Sequence, residues 1–250
     1  MKPATAVCQS QFPDTWQALP NGIIIRKTIE QALAPWWKKF FGYHLIKLGP
    51  LSCEINVIGS TIKHQIKLGT NQKNGDLVGD IDELPLQTHS VDVCLLSHAL
   101  EFSIDPHHVV REASRALIPN GYLVITGFNP VSLAGLNRFL PYRRQNSPWN
   151  QEFFSPMRIK DWLHLMGFEI LADQRCLPSS LTGKLTEQSL NNPLHNFANR
   201  YLATFGSIYI LIAKKRVLPL TPIKPMWQIQ SDFAPVKAAS LRSQQSTTKH

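Results

Sequence analysis

Residues 90–128 read as a strand, a helix and a second strand in succession, and this unit most restricts what the chain can become. SVDVCLL (90–96) is apolar and β-branched, the pattern of a central strand buried on both faces. Asp105 then suits a helix N-cap and Pro106 its first turn; Val109, Val110, Ala113 and Leu117 share one face, and Pro119-Asn120-Gly121 is a stop signal. YLVITGF (122–128) is the second strand. Two strands joined through a helix run parallel, because a tight hairpin would make them antiparallel, and such crossovers pack on one hand. The expected class is therefore α/β.

The flanking sequence extends the same plan. HLIKLG (44–49) and IKHQIKLG (62–69) read as earlier strands, and a short third strand precedes Asp80. Ser155-Pro156 opens a helix that buries Ile159, Trp162, Leu163 and Met166 and stops at Gly167. FEILAD (168–173) and SIYILIAKKR (207–216) read as the last two strands. Segment 23–41 has helical spacing interrupted by Pro35, so it reads as two short helices or one kinked helix within an N-terminal cover over about 15–42. A long insertion occupies about 174–205, a length common in functional loops. From Val217 onward the chain is rich in Pro, Ser, Gln and Lys with a net charge of +3, a composition expected of a disordered basic tail. The domain is thus expected over 1–216 and the tail over 217–250.

Composition agrees with one globular domain: 43% of the 250 residues are hydrophobic and 17% charged. Cys8, Cys53, Cys94 and Cys176 form no CxxC pair and no Cys/His run at zinc spacing, so reduced thiols and no metal site are expected. No stretch reaches the roughly 18 apolar residues of a membrane span, and the N-terminus has no uninterrupted apolar signal region, which together suggest a cytoplasmic protein. The formal charge of +9 is unevenly placed: residues 76–112 carry Asp76, Asp80, Asp82, Glu83, Asp92, Glu101, Asp105 and Glu112 against Arg111 alone. The basic excess elsewhere reads as a positive outer surface, with nucleic-acid binding the less favoured alternative.

The motifs select among α/β folds, which by themselves do not fix function. Asp80, Leu84-Pro85, Val91-Asp92, Leu100-Glu101, Asp105-Pro106, Arg111-Glu112 and Pro119 with Gly121 follow one another over about fifty residues. This series resembles the central half of the small-molecule class I S-adenosylmethionine-dependent methyltransferases of the type 11 kind. The APWWKKFFGYHLIKLG lead, the GFNPVSLAGLNRFLPYRR stretch and the final KKR-x-x-P-L-T resemble more closely a bacterial branch of that superfamily, the YafS-like group, over about 16–219. The resemblance implies a Rossmann-like, doubly wound sheet of about seven strands, mostly parallel with an antiparallel last strand.

It also implies S-adenosyl-L-methionine as cofactor and an unidentified methyl acceptor, a small molecule by analogy. Asp80, just past the third strand, would accept a hydrogen bond from the adenine amino group, and Ile81 would offer its backbone N–H and an apolar wall. Ser97 and His98 end the fourth strand, where the family lines the methyl-transfer pocket. His98 is the candidate base, since an unperturbed imidazole titrates near neutrality; a packing role is the competing reading. Asn129 and the following helix, about 131–140, would border the acceptor. Asp105, His107 and His108 open a helix and read as caps and solvated side chains.

Two positions depart from the family. The glycine-rich turn after the first strand, where missing side chains let the backbone approach the methionine moiety, reads KLGPLSCE, with Gly49 alone matching. The acidic residue that grips the ribose at the end of the second strand is missing from KLGTNQK, leaving Gln65, Asn71 or Gln72 as substitutes. Two rivals follow. One is a methyltransferase-like domain without catalysis that binds nucleic acid through Arg138, Arg143, Arg144, Lys214, Lys215, Arg216 and the tail, or binds protein; the other is an α/β domain for a different adenine-containing ligand.

Overall fold

The computed structural model describes residues 12–69, 75–136, 148–149, 151–177, 181 and 206–216. A 3-10 turn, Trp16–Ala18, leads into α1 (Gly22–Trp37), β1 (His44–Leu48), α2 (Pro50–Cys53), β2 (His64–Gly69), β3 (Leu77–Val78), β4 (Val91–Ser97), α3 (Pro106–Ala116), β5 (Leu117–Phe128), α4 (Leu133–Leu136), α5 (Pro156–Leu165), β6 (Phe168–Cys176) and β7 (Ile208–Lys215). The strands form one seven-stranded sheet in the order β3-β2-β1-β4-β5-β7-β6. Pairing is parallel from β3 through β5, and β7 runs antiparallel to both β5 and β6. This is the doubly wound arrangement expected from the sequence, with its order reversal between β1 and β4.

Alternation along the central strands sends side chains into two cores. Leu45, Val93, Leu95 and Val124 pack with Ile25, Ile29, Leu33 and Trp37 of α1 on one side. Ile46, Leu48, Cys94, Leu96, Leu123 and Ile125 meet Val109, Val110 and Ala113 of α3 and Ile159 and Leu163 of α5 on the other. Burial on both faces explains why β4 reads as a continuous apolar run. The caps behave as read: Asp105 accepts from the His108 N–H and Ser155 from the Arg158 N–H.

Three local readings change. α1 is one continuous helix with Pro35 inside it. Only two helical residues follow the proline, so the reading of two separate helices does not hold. Pro119-Asn120-Gly121 lies within β5, which begins at Leu117; the register with β4 jumps from Val91↔Leu117 to Val93↔Tyr122, so these residues bulge from the strand. KLGPLSCE contains a single helical turn, α2, whose four residues are all buried.

Within the chain, contacts separate residues 1–218 from 219–250. The expected tail lies outside the described residues, as does the insertion apart from 174–177 and 181. Among the described residues, no helix is long and apolar enough to cross a membrane, and no group of three or more His, Cys, Asp or Glu could hold a metal ion. Cys53, Cys94 and Cys176 are free, and burial pushes the Cys53 thiol up to about 11, so it stays protonated.

Candidate functional site

In an open α/β sheet the ligand crevice lies beyond the carboxyl ends of the strands where the order reverses, here between β1 and β4. The structure brings Gly49, at the end of β1, and Ser97 and His98, at the end of β4, to this place. Asp80 and Ile81 follow β3 on the same side of the sheet.

Gly49 has φ 87° and ψ 157°, a conformation essentially confined to glycine. A Cβ built there would meet nothing within 4 Å except the Ala99 Cβ, at 3.7 Å. The backbone thus presents an open side at the point where a cofactor's methionine moiety would pass. This much of a glycine-rich turn survives, and it fits the group.

The remainder of the turn has become α2, and its hydroxyl side chain is put to use. Ser52 is fully buried and its Oγ accepts the Ser97 N–H at 2.7 Å. The end of β4 is further pinned by Ser97 Oγ to Thr126 Oγ1 at 2.9 Å and by the His98 N–H to the Thr126 carbonyl at 2.9 Å.

His98 itself is 0% exposed and sits at φ 49°. Its ring lies 4.3 Å from Phe128 and meets Trp16 edge-on at 5.4 Å, between centroids. His98 Nδ1 stands 3.4 Å from Glu101 Oε1, which accepts the Phe128 N–H at 2.7 Å. Among the described residues, both ring nitrogens of His98, Glu101 Oε2 and the Tyr209 hydroxyl lack a hydrogen-bond partner. Gly127 explains how these groups crowd together: a Cβ there would stand 2.4 Å from the Tyr209 hydroxyl and 2.6 Å from Glu101 Oε1. Burial, and then the Glu101 carboxylate, hold the Tyr209 phenol well above its ordinary range, so it remains a donor.

Trp16 packs over His98. It is 1% exposed, and its indole N–H donates to the Leu51 carbonyl at 2.9 Å. Nothing in the sequence marked Trp16, because a lone tryptophan ahead of a helix carries no periodicity; the contact is made only when the N-terminal segment crosses α2.

The segment after β3 has a different character. Asp80 is exposed, and its Oδ1 accepts the Asp82 N–H at 3.1 Å, so it also fulfils the turn role. Ile81 is 2% exposed and belongs to the core, which leaves its backbone as the part able to meet a ligand. Asp82 accepts from the Ser103 hydroxyl at 3.0 Å, linking the segments after β3 and β4; burial raises its carboxyl above the usual range despite that bond.

The proposed ribose substitutes fare unequally. Gln65 lies near the start of β2, paired with Leu45, at the opposite end of the sheet from the crevice, which removes it. Asn71 and Gln72 lie outside the described residues. Asn129 is buried and donates through Nδ2 to the Gly206 carbonyl while its Oδ1 accepts the Val131 N–H, so it fastens the turn after β5 to the start of the β7 segment.

Of the basic candidates, Lys215 donates to the Ser114 and Leu117 carbonyls, Arg216 pairs with Glu169, and Lys214 lies over the Tyr122 ring. Arg138, Arg143 and Arg144 are outside the described residues. One residue that the motif reading passed over is Arg115. It binds Glu112 through Nε and Nη2 and reaches the Leu84 and Leu86 carbonyls, tying the helix motif Arg111-Glu112 to the Leu84-Pro85 motif. Arg111 instead contacts His108 at the surface.

Comparison with known proteins agrees with this geometry. A family model described as a methyltransferase domain matches residues 43–125. The uncharacterized protein YafS of Escherichia coli (strain K12) is 40% identical over 231 residues, 91% of each chain. Among solved structures, a putative methyltransferase in complex with the Haloferax volcanii Trm112 activator is similar with TM-score 0.56 and 17% identity, over 82% of this chain and 96% of that one. An S-adenosylmethionine-dependent methyltransferase from Thermotoga maritima gives TM-score 0.52 and 19% identity, over 80% and 100% respectively. With the β1–β4 switch point, the surviving glycine and the motif series in place, the chain belongs to the YafS-like branch of the class I S-adenosylmethionine-dependent methyltransferase superfamily.

Proposed function

We propose that the chain transfers a methyl group from S-adenosylmethionine to a small-molecule acceptor in the crevice over β4 and β5. The observation that carries this reading is the open, glycine-only backbone at Gly49, located at the switch point. When bound, the cofactor supplies an electrophilic methyl on sulfonium with a neutral thioether as leaving group.

The chain's own part is positioning and proton handling. Asp80 accepts from the adenine amino group, the Ile81 backbone supports the ring, and Gly49 lets the methionine moiety pass against the main chain. Ser97 and His98 flank the methyl, and Asn129 borders the acceptor. His98 takes the proton that the acceptor's nucleophile loses as the new bond to carbon forms. Glu101, through Oε1 at 3.4 Å from His98 Nδ1, faces the imidazolium so produced. Because Trp16 covers His98, acceptor entry requires the segment before α1 to move.

Titration calorimetry with S-adenosylmethionine and S-adenosylhomocysteine tests the proposal. The expected result is saturable heat that is lost in Asp80→Ala. Absence of both heat and thermal shift at millimolar ligand would sink it.

A second reading, a domain that keeps the fold but serves as a binding module, is favoured by one observation: Ser97 and His98 are 1% and 0% exposed. On that reading no cofactor binds, and any affinity for RNA or DNA falls steeply with salt.

A further inference from the structure

The turn from α1 into β1 and the loop leading into β2 build a surface that the crevice does not use. Phe41, Tyr43 and Ile58 are 71%, 81% and 71% exposed. Lys38, Lys39 and Lys63 are exposed beside them. The two segments adjoin: a Cβ on Gly59 would touch the Lys38 side chain at 3.6 Å, the Thr61 hydroxyl donates to the Phe40 carbonyl at 3.0 Å, and the rings of His44 and His64 are 4.9 Å apart. Lys39 Nζ lies 4.5 Å from the centre of the Trp36 ring.

No acidic residue occurs in 36–44 or 57–64. The neighbouring Asp92 is half-buried, and its Oδ2 accepts the Tyr43 and His44 N–H groups at 2.9 and 2.8 Å.

We propose that this patch docks the protein on an anionic lipid surface. Three arguments select lipid over nucleic acid. Phe41 and Ile58 have no hydrogen-bonding group to read a base, yet both match an acyl boundary. Tyr43 and Trp36 combine an apolar ring with a polar tip, the side chains that concentrate at membrane interfaces. The cations are all lysine, whose long apolar stems let the charge reach headgroups while the stem stays buried, and none is an arginine of the kind favoured for bidentate phosphate and base contacts.

The patch lies at the amino ends of β1 and β2, whereas Gly49, Asp80 and Ser97 lie at carboxyl ends. A docked molecule therefore holds its crevice toward the aqueous side. The proposal stands or falls independently of methyl transfer.

The test is co-sedimentation of the full chain with vesicles of phosphatidylcholine alone and of phosphatidylcholine mixed with phosphatidylglycerol. Binding is expected to the mixed vesicles and to be much weaker to the neutral ones. Lys38→Ala and Lys39→Ala should each reduce partitioning roughly fivefold, the effect of one lysine at an anionic surface. Phe41→Ser, Tyr43→Ser and Ile58→Ser combined should reduce it by about tenfold or more, with the thermal unfolding midpoint unchanged because these side chains are exposed. No sedimentation with mixed vesicles overturns the proposal. So does binding that survives both sets of substitutions, which would locate it elsewhere, or a patch-dependent affinity for single-stranded RNA without affinity for vesicles.

Discussion

The Ser52 hydroxyl accepts the backbone N–H of Ser97 at 2.7 Å, joining the turn after the first strand to the end of the fourth. In the family pattern that turn is made of glycines; here a one-turn helix replaces most of it and supplies a side chain as the link. The turn after β1 and the end of β4 are thereby coupled through one buried hydrogen bond.

Ser52→Ala should leave the Ser97 N–H unpaired in a buried setting. The expected loss is about 1–3 kcal/mol of unfolding free energy, read from denaturant midpoints. If S-adenosylmethionine binds, its affinity should weaken in the same variant, because the backbone of β4 loses its tether beside Gly49. A variant with wild-type stability would show that the hydroxyl bond contributes nothing.

Gly49→Ala separates cofactor approach from folding. The backbone conformation costs an alanine roughly 1–3 kcal/mol, while the space for its methyl is open. The variant should fold, bind S-adenosylhomocysteine more weakly, and show the deficit by calorimetry. Asp80→Ala, which removes the exposed hydrogen bond from the Asp82 N–H, should cost about 0.5–1.5 kcal/mol of stability and lose about tenfold or more in affinity, as when a charged hydrogen bond is removed.

Trp16→Ala should be the most damaging of these changes. The ring is 1% exposed against His98, with its N–H bonded to the Leu51 carbonyl. Truncating a buried Trp costs about 3–5 kcal/mol. Trp16→Phe, which keeps most of the packing, should fold and open the His98 side of the crevice. Quenching of His98 reactivity toward diethyl pyrocarbonate in the wild type, and its gain in Trp16→Phe, is the check.

Arg115 supplies a pH-dependent contribution. Its hydrogen bond to Glu112 is the main cause holding that carboxyl below the ordinary value of 4.5. A depressed carboxyl pKa stabilises the fold above the unfolded value and loses that contribution as pH falls through the folded value, which lies lower. Stability conferred by the pair should therefore be full above about pH 5 and fade below 4.5. Arg115→Met should lower stability at neutral pH by about 1–2 kcal/mol, discounted for partial exposure, and flatten the acid limb of the stability curve. An unaltered limb would show that Glu112 is not the titrating group.

The chain order of elements was legible because it rests on local rules. The apolar run 90–96, the caps Asp105 and Ser155 and the helix-starting prolines Pro106 and Pro156 each act within a few residues, and the structure places elements accordingly. The family, too, was legible from the resemblance carried by the motifs between Asp80 and Gly121. Where the sequence reading failed, a distant partner decided the outcome. Pro119-Asn120-Gly121 became a bulge because the residues after α3 pair directly with Val91 in β4, and Gln65 fell at the wrong end of β2 because register fixes direction.

The sequence by itself determined an α/β chain and the order of its strands, since burial period and capping are properties of neighbouring residues; the candidates Gly49, Asp80, Ile81, Ser97 and His98 came from its resemblance to the family. The tertiary structure decided what surrounds them: that Trp16 covers His98, that Ser52 ties α2 to β4, and that Arg115 joins two motifs about thirty residues apart. Such contacts depend on side chains meeting across different elements, and their distances are set by packing, which no local pattern encodes.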